Sequence, residues 1–112
     1  MERMKTVGYW AVIALNDAES FAIVAACVDL ANELGTDVDL AGSWILDRAR
    51  MRIPNLWIPN FRPFVTLGIL NRVGGSRGGR RAYYRLVDAS GSQRALVERG
   101  VPLVALASAR PA

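Results

Sequence analysis

Arginine is the residue whose type and spacing carry the clearest chemical information in this chain. Nine arginines and no acidic residue lie between positions 48 and 85. A guanidinium is planar, always charged, and able to donate paired hydrogen bonds to a phosphate or to the edge of guanine. An acid-free run of such side chains predicts a polyanionic partner, of which nucleic acid is the usual one. A solvated cationic face without a partner is the alternative.

The opposite charges are concentrated in different halves of the chain. Residues 1–47 hold two basic and eight acidic side chains, a net charge of −6, whereas residues 48–112 hold twelve arginines and two acids, a net charge of +10. The overall charge of +4 conceals this division. Such segregation again favours an anionic partner for the second half.

Catalytic chemistry has little support in the composition. The chain has no histidine, and Cys27 is its only cysteine. This removes hydrolysis relayed through histidine and leaves no cysteine cluster for a metal. The glycine-rich stretch that begins at Gly74 resembles a phosphate-binding loop only superficially, because Arg80 and Arg81 stand where Lys and Ser/Thr are required. We therefore expect neither an enzyme nor a bound cofactor or metal, and we interpret Cys27 as a small core residue.

Residues 72–87, RVGGSRGGRRAYYRLV, predict a basic β-hairpin. Glycines supply the positive φ angles of a tight reversal, and the outgoing strand alternates with period two. The alternation places Ala82, Tyr84 and Leu86 on a face that can be buried. It places Arg81, Tyr83 and Arg85 on the opposite, cationic face. A lone hairpin is marginally stable in water, so helices must cover its apolar face.

Apolar periodicity and capping residues predict those helices. Residues 4–15 fit a helix, although their alternation also fits a strand. A helix over residues 17–34 follows, with Asn16 as its cap and Gly35 as its stop. Residues 41–51 predict a third helix, with Trp44, Ile45 and Ala49 facing inward.

The remaining helices flank the hairpin. Asn60 is a plausible cap for a helix over residues 61–71, on which Ile69 and Leu70 face the core. A last helix over residues 93–99 is expected to be capped by Ser90 or Ser92 and ended by Gly100.

Length and hydropathy indicate one domain. The chain has 112 residues, of which 52% are apolar, enough for a single core. Residues 1–16 form an N-terminal extension in this interpretation and residues 100–112 an apolar tail. The longest uninterrupted apolar run, residues 21–28, is far short of a membrane span. We expect a cytoplasmic protein, associated with the nucleoid if it binds DNA.

The order of these elements resembles the winged helix-turn-helix superfamily. The segment FRPFVTLGILNRVGGSRGGRRAYYRLVDASG is similar to the recognition helix and wing of small winged-helix transcription regulators. The resemblance covers residues 17–99, and its specific part is residues 61–88. It implies an α+β, mostly helical fold, with a three-helix core, a basic hairpin as the wing and a C-terminal helix. The loop over residues 53–60 is longer and more hydrophobic than a tight helix-turn-helix turn.

The resemblance also implies roles for individual side chains on double-stranded DNA. Residues of the recognition helix, about 61–71, would face base edges or flanking phosphates in the major groove. Arginines of the wing, residues 72–87, would enter the minor groove or pair with phosphates, and those before residue 53 would hold the flanking strand. The expected contacts are Arg48, Arg50, Arg52, Arg62, Thr66, Asn71, Arg72, Arg77, Arg80, Arg81, Tyr83 and Arg85.

Three partners therefore stay open at the level of sequence. Duplex DNA is the leading one, either sequence-specifically in transcription regulation or as an architectural factor. RNA, or a ribosome-associated role, would use the same arginine-rich face, with Tyr83 able to stack on an unpaired base. A winged-helix module that binds another protein is the third. A homodimer through the apolar residues 7–15 and 101–107 would let two half-sites be bound together.

Overall fold

The computed structural model describes residues 7–58, 60–75 and 82–103. Within these ranges the protein is a small α+β fold with five helices and one antiparallel sheet of three strands, as the sequence predicts at this level. The elements in chain order are α1 (Val7–Ile13), α2 (Ala18–Leu34), β1 (Leu40–Ala41), α3 (Gly42–Ala49), α4 (Arg62–Thr66), β2 (Leu70–Gly75), β3 (Ala82–Leu86) and α5 (Ala89–Glu98).

The predicted hairpin is confirmed, and β3 is the central strand of the sheet. It pairs antiparallel with β1 on one side and with β2 on the other, in the order β1-β3-β2. The register between β2 and β3 shifts between Arg72 and Gly74, which marks a bulge. Alternation along β3 buries Ala82, Tyr84 and Leu86, as expected.

Helix α2 lies at the centre of the core. All ten residues from 22 to 31 are buried, so the helix is covered around its whole circumference. Its cap is Asp17, whose carboxylate accepts a hydrogen bond from the Ser20 N–H at 2.6 Å; the prediction of Asn16 was wrong by one residue. Gly35 follows the last turn with φ 114°, and its N–H donates to the Ala31 carbonyl, as a glycine stop requires.

The helix predicted over residues 61–71 is wrong beyond its first turn and a half. Helix α4 ends at Thr66, Gly68 turns the chain with φ 82°, and β2 begins at Leu70. Glycine adopts this left-handed backbone at little cost, so the turn is sharp. The Asn60 side chain accepts from the Arg62 N–H at 2.8 Å and so assists the helix start. Because β2 replaces the second half of the helix, Asn71 and Arg72 lie on a strand.

The two outer helices, α1 and α5, pack against each other. The helix expected in residues 4–15 is confirmed over Val7–Ile13. Helix α5 starts four residues earlier than predicted, because Asp88 rather than a serine caps it: its carboxylate accepts from the Gly91 N–H at 2.8 Å. A Cβ at Gly8 would lie 2.6 Å from Ser92 Oγ, so α1 approaches α5 as closely as glycine permits.

The tryptophans are all on the surface. Trp10, Trp44 and Trp57 are 59%, 45% and 66% exposed. The inward placement of Trp44 is wrong, whereas Ile45 and Ala49 on the same helix are fully buried as predicted. No helix within the described ranges has the length and apolar character needed to cross a bilayer.

Candidate nucleic-acid interface

Three of the expected contact residues, Arg48, Arg50 and Arg52, lie at the end of α3 and are used within the fold. Arg48 Nη2 donates to Glu33 Oε1 on α2 at 2.9 Å. This hydrogen bond lowers the pKa of Glu33 and raises the pKa of Arg48, because each charged form stabilises the other. Arg50 Nε donates to the Leu56 carbonyl at 2.9 Å and so holds the loop between α3 and α4.

Arg52 makes the most enclosed ion pair of the described residues. Its Nη2 lies 3.3 Å from Asp29 Oδ2 on α2, and the Asp29 side chain is fully buried. Together with Arg48, it joins the acidic first half of the chain to the arginine-rich second half. The charge segregation of the sequence is therefore partly an internal pairing, and we leave Arg48, Arg50 and Arg52 out of the candidate interface.

The outward face of the sheet carries three other expected residues: Asn71, Tyr83 and Arg85. Arg85 is paired in the sheet with Asn71 of β2. Its Nη2 and Nε donate to Asp39 Oδ1, just before β1, at 2.6 and 3.0 Å. Tyr83 is half-buried, and Asn71 and Arg85 are exposed.

The inward face of the hairpin and the short helix α4 enclose an open groove of about 360 Å³. Two arginines from different elements line it, Arg62 from α4 and Arg72 from β2. Phe61 and Tyr84 form its apolar wall, with their rings edge to face at 5.1 Å. We call this feature the arginine groove; its full lining is Asn60, Phe61, Arg62, Val65, Arg72, Ala82 and Tyr84.

Arg62 and Arg72 differ from the other described arginines of the 48–85 segment. Both side chains are exposed, and neither forms an ion pair or a side-chain hydrogen bond with any described residue. Arg62 also borders a neighbouring hollow of about 410 Å³ that contains Asp17 and Glu19, without an ion pair to either. Two unneutralised guanidinium groups over an apolar wall can take up phosphate oxygens.

No family model, curated protein or solved structure matches the chain. Function is therefore inferred from the side chains and their surroundings.

The remaining expected residues lie either outside the arginine groove or outside the described residues. Thr66 is exposed on α4 but does not line the arginine groove. Arg77, Arg80 and Arg81, which the sequence predicts at the tip of the hairpin, lie outside the described residues. The contacts expected on one DNA-binding surface thus fall on two faces of the hairpin, inward at Arg72 and outward at Asn71, Tyr83 and Arg85.

The prediction that Cys27 is a core residue is confirmed. Its side chain is fully buried, and burial raises the pKa of its thiol far above the ordinary range. A thiol held in its neutral form is neither a nucleophile nor a metal ligand. No cluster of metal-binding side chains occurs in the described ranges either.

Proposed function

We propose that this protein binds double-stranded DNA as a winged helix-turn-helix domain, with the arginine groove as its phosphate-binding centre. One observation carries the proposal. Arg62 and Arg72 line a single groove without an acidic partner among the described residues, whereas Arg48, Arg52 and Arg85 are each paired with an acid.

The topology supports the same proposal. A helix, a short strand, two helices and a hairpin follow one another, and the first strand pairs with the second strand of the hairpin. This is the order that the winged-helix resemblance implies, with α2, α3 and α4 as the three-helix core and β2–β3 as the wing. Helices α1 and α5 then form a separate layer beside α2.

The length of α4 determines which DNA contacts dominate in the proposal. A recognition helix of five residues offers only Arg62 and Thr66 as exposed polar side chains. Contacts to the DNA backbone therefore carry most of the affinity, and base readout is limited. Arg62 and Arg72 hold one phosphate backbone, and Arg77, Arg80 and Arg81, which lie outside the described residues, are proposed to add further phosphate contacts. A role closer to architectural binding than to stringent operator recognition follows.

Fluorescence anisotropy with a labelled duplex, titrated between about 50 and 200 mM salt, tests the proposal. The logarithm of affinity should fall linearly with the logarithm of salt concentration, by about 0.9 for each phosphate neutralised. Arg62→Gln and Arg72→Gln should each reduce that slope by about 0.9 and weaken binding on every duplex sequence alike. Arg94→Gln is the matched control, because Arg94 is exposed on α5 and stacks over the Tyr9 ring away from the groove.

Competition with structured RNA distinguishes the second partner class from the first. Tighter binding of structured RNA than of duplex DNA at equal salt would indicate that the arginine groove binds RNA. Absence of binding to either nucleic acid at moderate salt would overturn the proposal and favour a protein partner.

A homodimer through residues 7–15 and 101–107 belongs to the same proposal. Trp10 is exposed on α1, which gives the first of these segments an apolar side chain available for a partner copy. A mass near twice that of one chain by light scattering is the expected result. A single-chain mass at high protein concentration would exclude the dimer without affecting the groove.

A further inference from the structure

The ion pair between Asp39 and Arg85 lies on the outward face of the hairpin, on the side opposite the arginine groove. Arg85 Nη2 and Nε both donate to one carboxylate oxygen, Asp39 Oδ1. The register of the sheet explains the contact: Leu40 is paired with Tyr84, so Asp39 stands opposite Arg85.

The exposure of this pair differs from that of the other two ion pairs in the described structure. The Arg85 and Asp39 side chains are 45% and 44% exposed, whereas the Arg48 and Arg52 side chains are 18% and 15% exposed. An exposed pair is weak and is readily exchanged, whereas Arg52 cannot leave Asp29 without leaving a buried charge behind, and the Arg48 side chain is itself largely enclosed. Arg85 is thus the paired arginine that an incoming phosphate can capture.

We propose that Asp39 competes with nucleic-acid phosphate for Arg85 and so limits the sequence-independent affinity of the wing. This inference rests on the proposed DNA-binding function. When a phosphate approaches, Arg85 must exchange one anion for another, and the Asp39 carboxylate is left close to the DNA backbone. Like charges that lie close together oppose binding, so Asp39 favours release from duplexes on which the arginine groove makes few contacts.

Replacing the acid by its neutral isostere tests the inference. Asp39→Asn should bind a random-sequence duplex roughly three- to tenfold more tightly at low salt, because Arg85 is released for the phosphate and one like charge beside that phosphate is removed. Asp37→Asn provides the matched control: Asp37 is an exposed acid in the same loop and has no ion pair among the described residues. It changes the net charge equally and should alter affinity less than twofold.

A double-mutant cycle then shows whether Arg85 is the group for which Asp39 competes. In an Arg85→Gln background, the gain from Asp39→Asn should be smaller than in the wild-type background, because no Arg85 is left to be released and only the like-charge repulsion is removed. Equal gains for Asp39→Asn and Asp37→Asn in the wild-type background would overturn the inference, as would an undiminished gain in the Arg85→Gln background. Thermal unfolding by circular dichroism checks that each variant is folded.

The outcomes also separate this inference from the proposed function. If Arg62→Gln weakens salt-dependent duplex binding but Asp39→Asn and Asp37→Asn have equal effects, the proposed function is retained. Only the role of Asp39 is then rejected. If the wild-type protein does not bind duplex DNA, both conclusions fall.

Discussion

The Asp29 carboxylate on α2 and the Arg52 guanidinium beyond α3 lie 3.3 Å apart, with the acid fully enclosed by the protein. A buried charge is costly unless it is paired and hydrogen-bonded. The contact fixes the end of α3 against the central helix. One arginine of the acid-free run is thus engaged inside the fold.

We expect Arg52→Met to lower the free energy of unfolding by about 3 kcal/mol, because the buried Asp29 charge loses a compensating cation. Urea unfolding at pH 7 measures the loss. Arg62→Met is the control: its side chain is exposed, and its replacement should change stability by no more than about 0.5 kcal/mol. The double variant Asp29→Leu/Arg52→Met should recover much of the loss, since the buried carboxylate is removed together with the cation. Equal urea midpoints for Arg52→Met and the wild type would show that the ion pair does not stabilise the fold.

The pair between Glu33 and Arg48 predicts a pH dependence. The hydrogen bond from Arg48 lowers the pKa of Glu33 in the folded protein. Its stabilisation is therefore present above the unfolded pKa of about 4.3 and is lost as the pH falls through the lower, folded pKa. Urea midpoints should thus fall more steeply below about pH 4.3 in the wild type than in Glu33→Gln.

At pH 7 the same Glu33→Gln substitution should have a small effect, because the Glu33 side chain is 41% exposed and solvent weakens the pair. Asp47→Asn, which removes an exposed acid from α3, is the control and should retain the wild-type acid dependence. Parallel curves for the wild type and Glu33→Gln below pH 4.3 would assign the acid sensitivity to other carboxylates.

Local patterns predicted the hairpin correctly, but they could not show where the arginines would be used. Alternation along β3 needs only neighbouring residues, and Tyr84 is buried as it implied. The acids that engage Arg48, Arg52 and Arg85 are 15, 23 and 46 positions away in the chain. Such partners depend on how α2, β1 and α3 pack, which charge counts along the sequence do not contain.

Local sequence patterns could not predict the arginine groove either. Arg62 was expected in a helix over residues 61–71 and Arg72 in the wing over residues 72–87, since Ile69 and Leu70 fit a helical core pattern as well as a strand. Gly68 was the available signal for the true boundary, because its left-handed φ ends α4 and starts β2. Both arginines line one groove, Arg62 from a helix and Arg72 from a strand. Trp44 was misplaced because a large apolar side chain was assumed to be buried.

Gly8 predicts a steric limit on the packing of α1 against α5. A Cβ there would lie 2.6 Å from Ser92 Oγ and 2.9 Å from the Asp88 carbonyl oxygen, a backbone atom that cannot easily move. Gly8→Ala should therefore lower the free energy of unfolding by about 1–3 kcal/mol despite the better helix propensity of alanine. Gly74→Ala is the matched control, because among the described residues no atom beyond its chain neighbours lies within 4 Å of its Cβ position. Equal urea midpoints for the two variants would contradict this account of the contact.

Gly68 links the stability of the fold to the arginine groove. Its φ of 82° disfavours a β-branched side chain, and a Cβ there would lie 3.2 Å from Val7 Cγ1. Gly68→Val should lower the free energy of unfolding by about 2 kcal/mol, and Gly68→Asn by less, because asparagine tolerates the left-handed region. Adding Val7→Ala to Gly68→Val should relieve the contact but leave the backbone strain.

The functional consequence of Gly68→Val is measurable where the variant is still folded. The turn at Gly68 brings Arg62 of α4 and Arg72 of β2 to one groove, so a distorted turn should separate them. Duplex DNA affinity, measured by anisotropy at low temperature, should fall for Gly68→Val and be nearly retained for Gly68→Asn. If both variants bind duplex DNA as tightly as the wild type, the alignment of these two arginines does not control binding, since only Gly68→Val is expected to displace them.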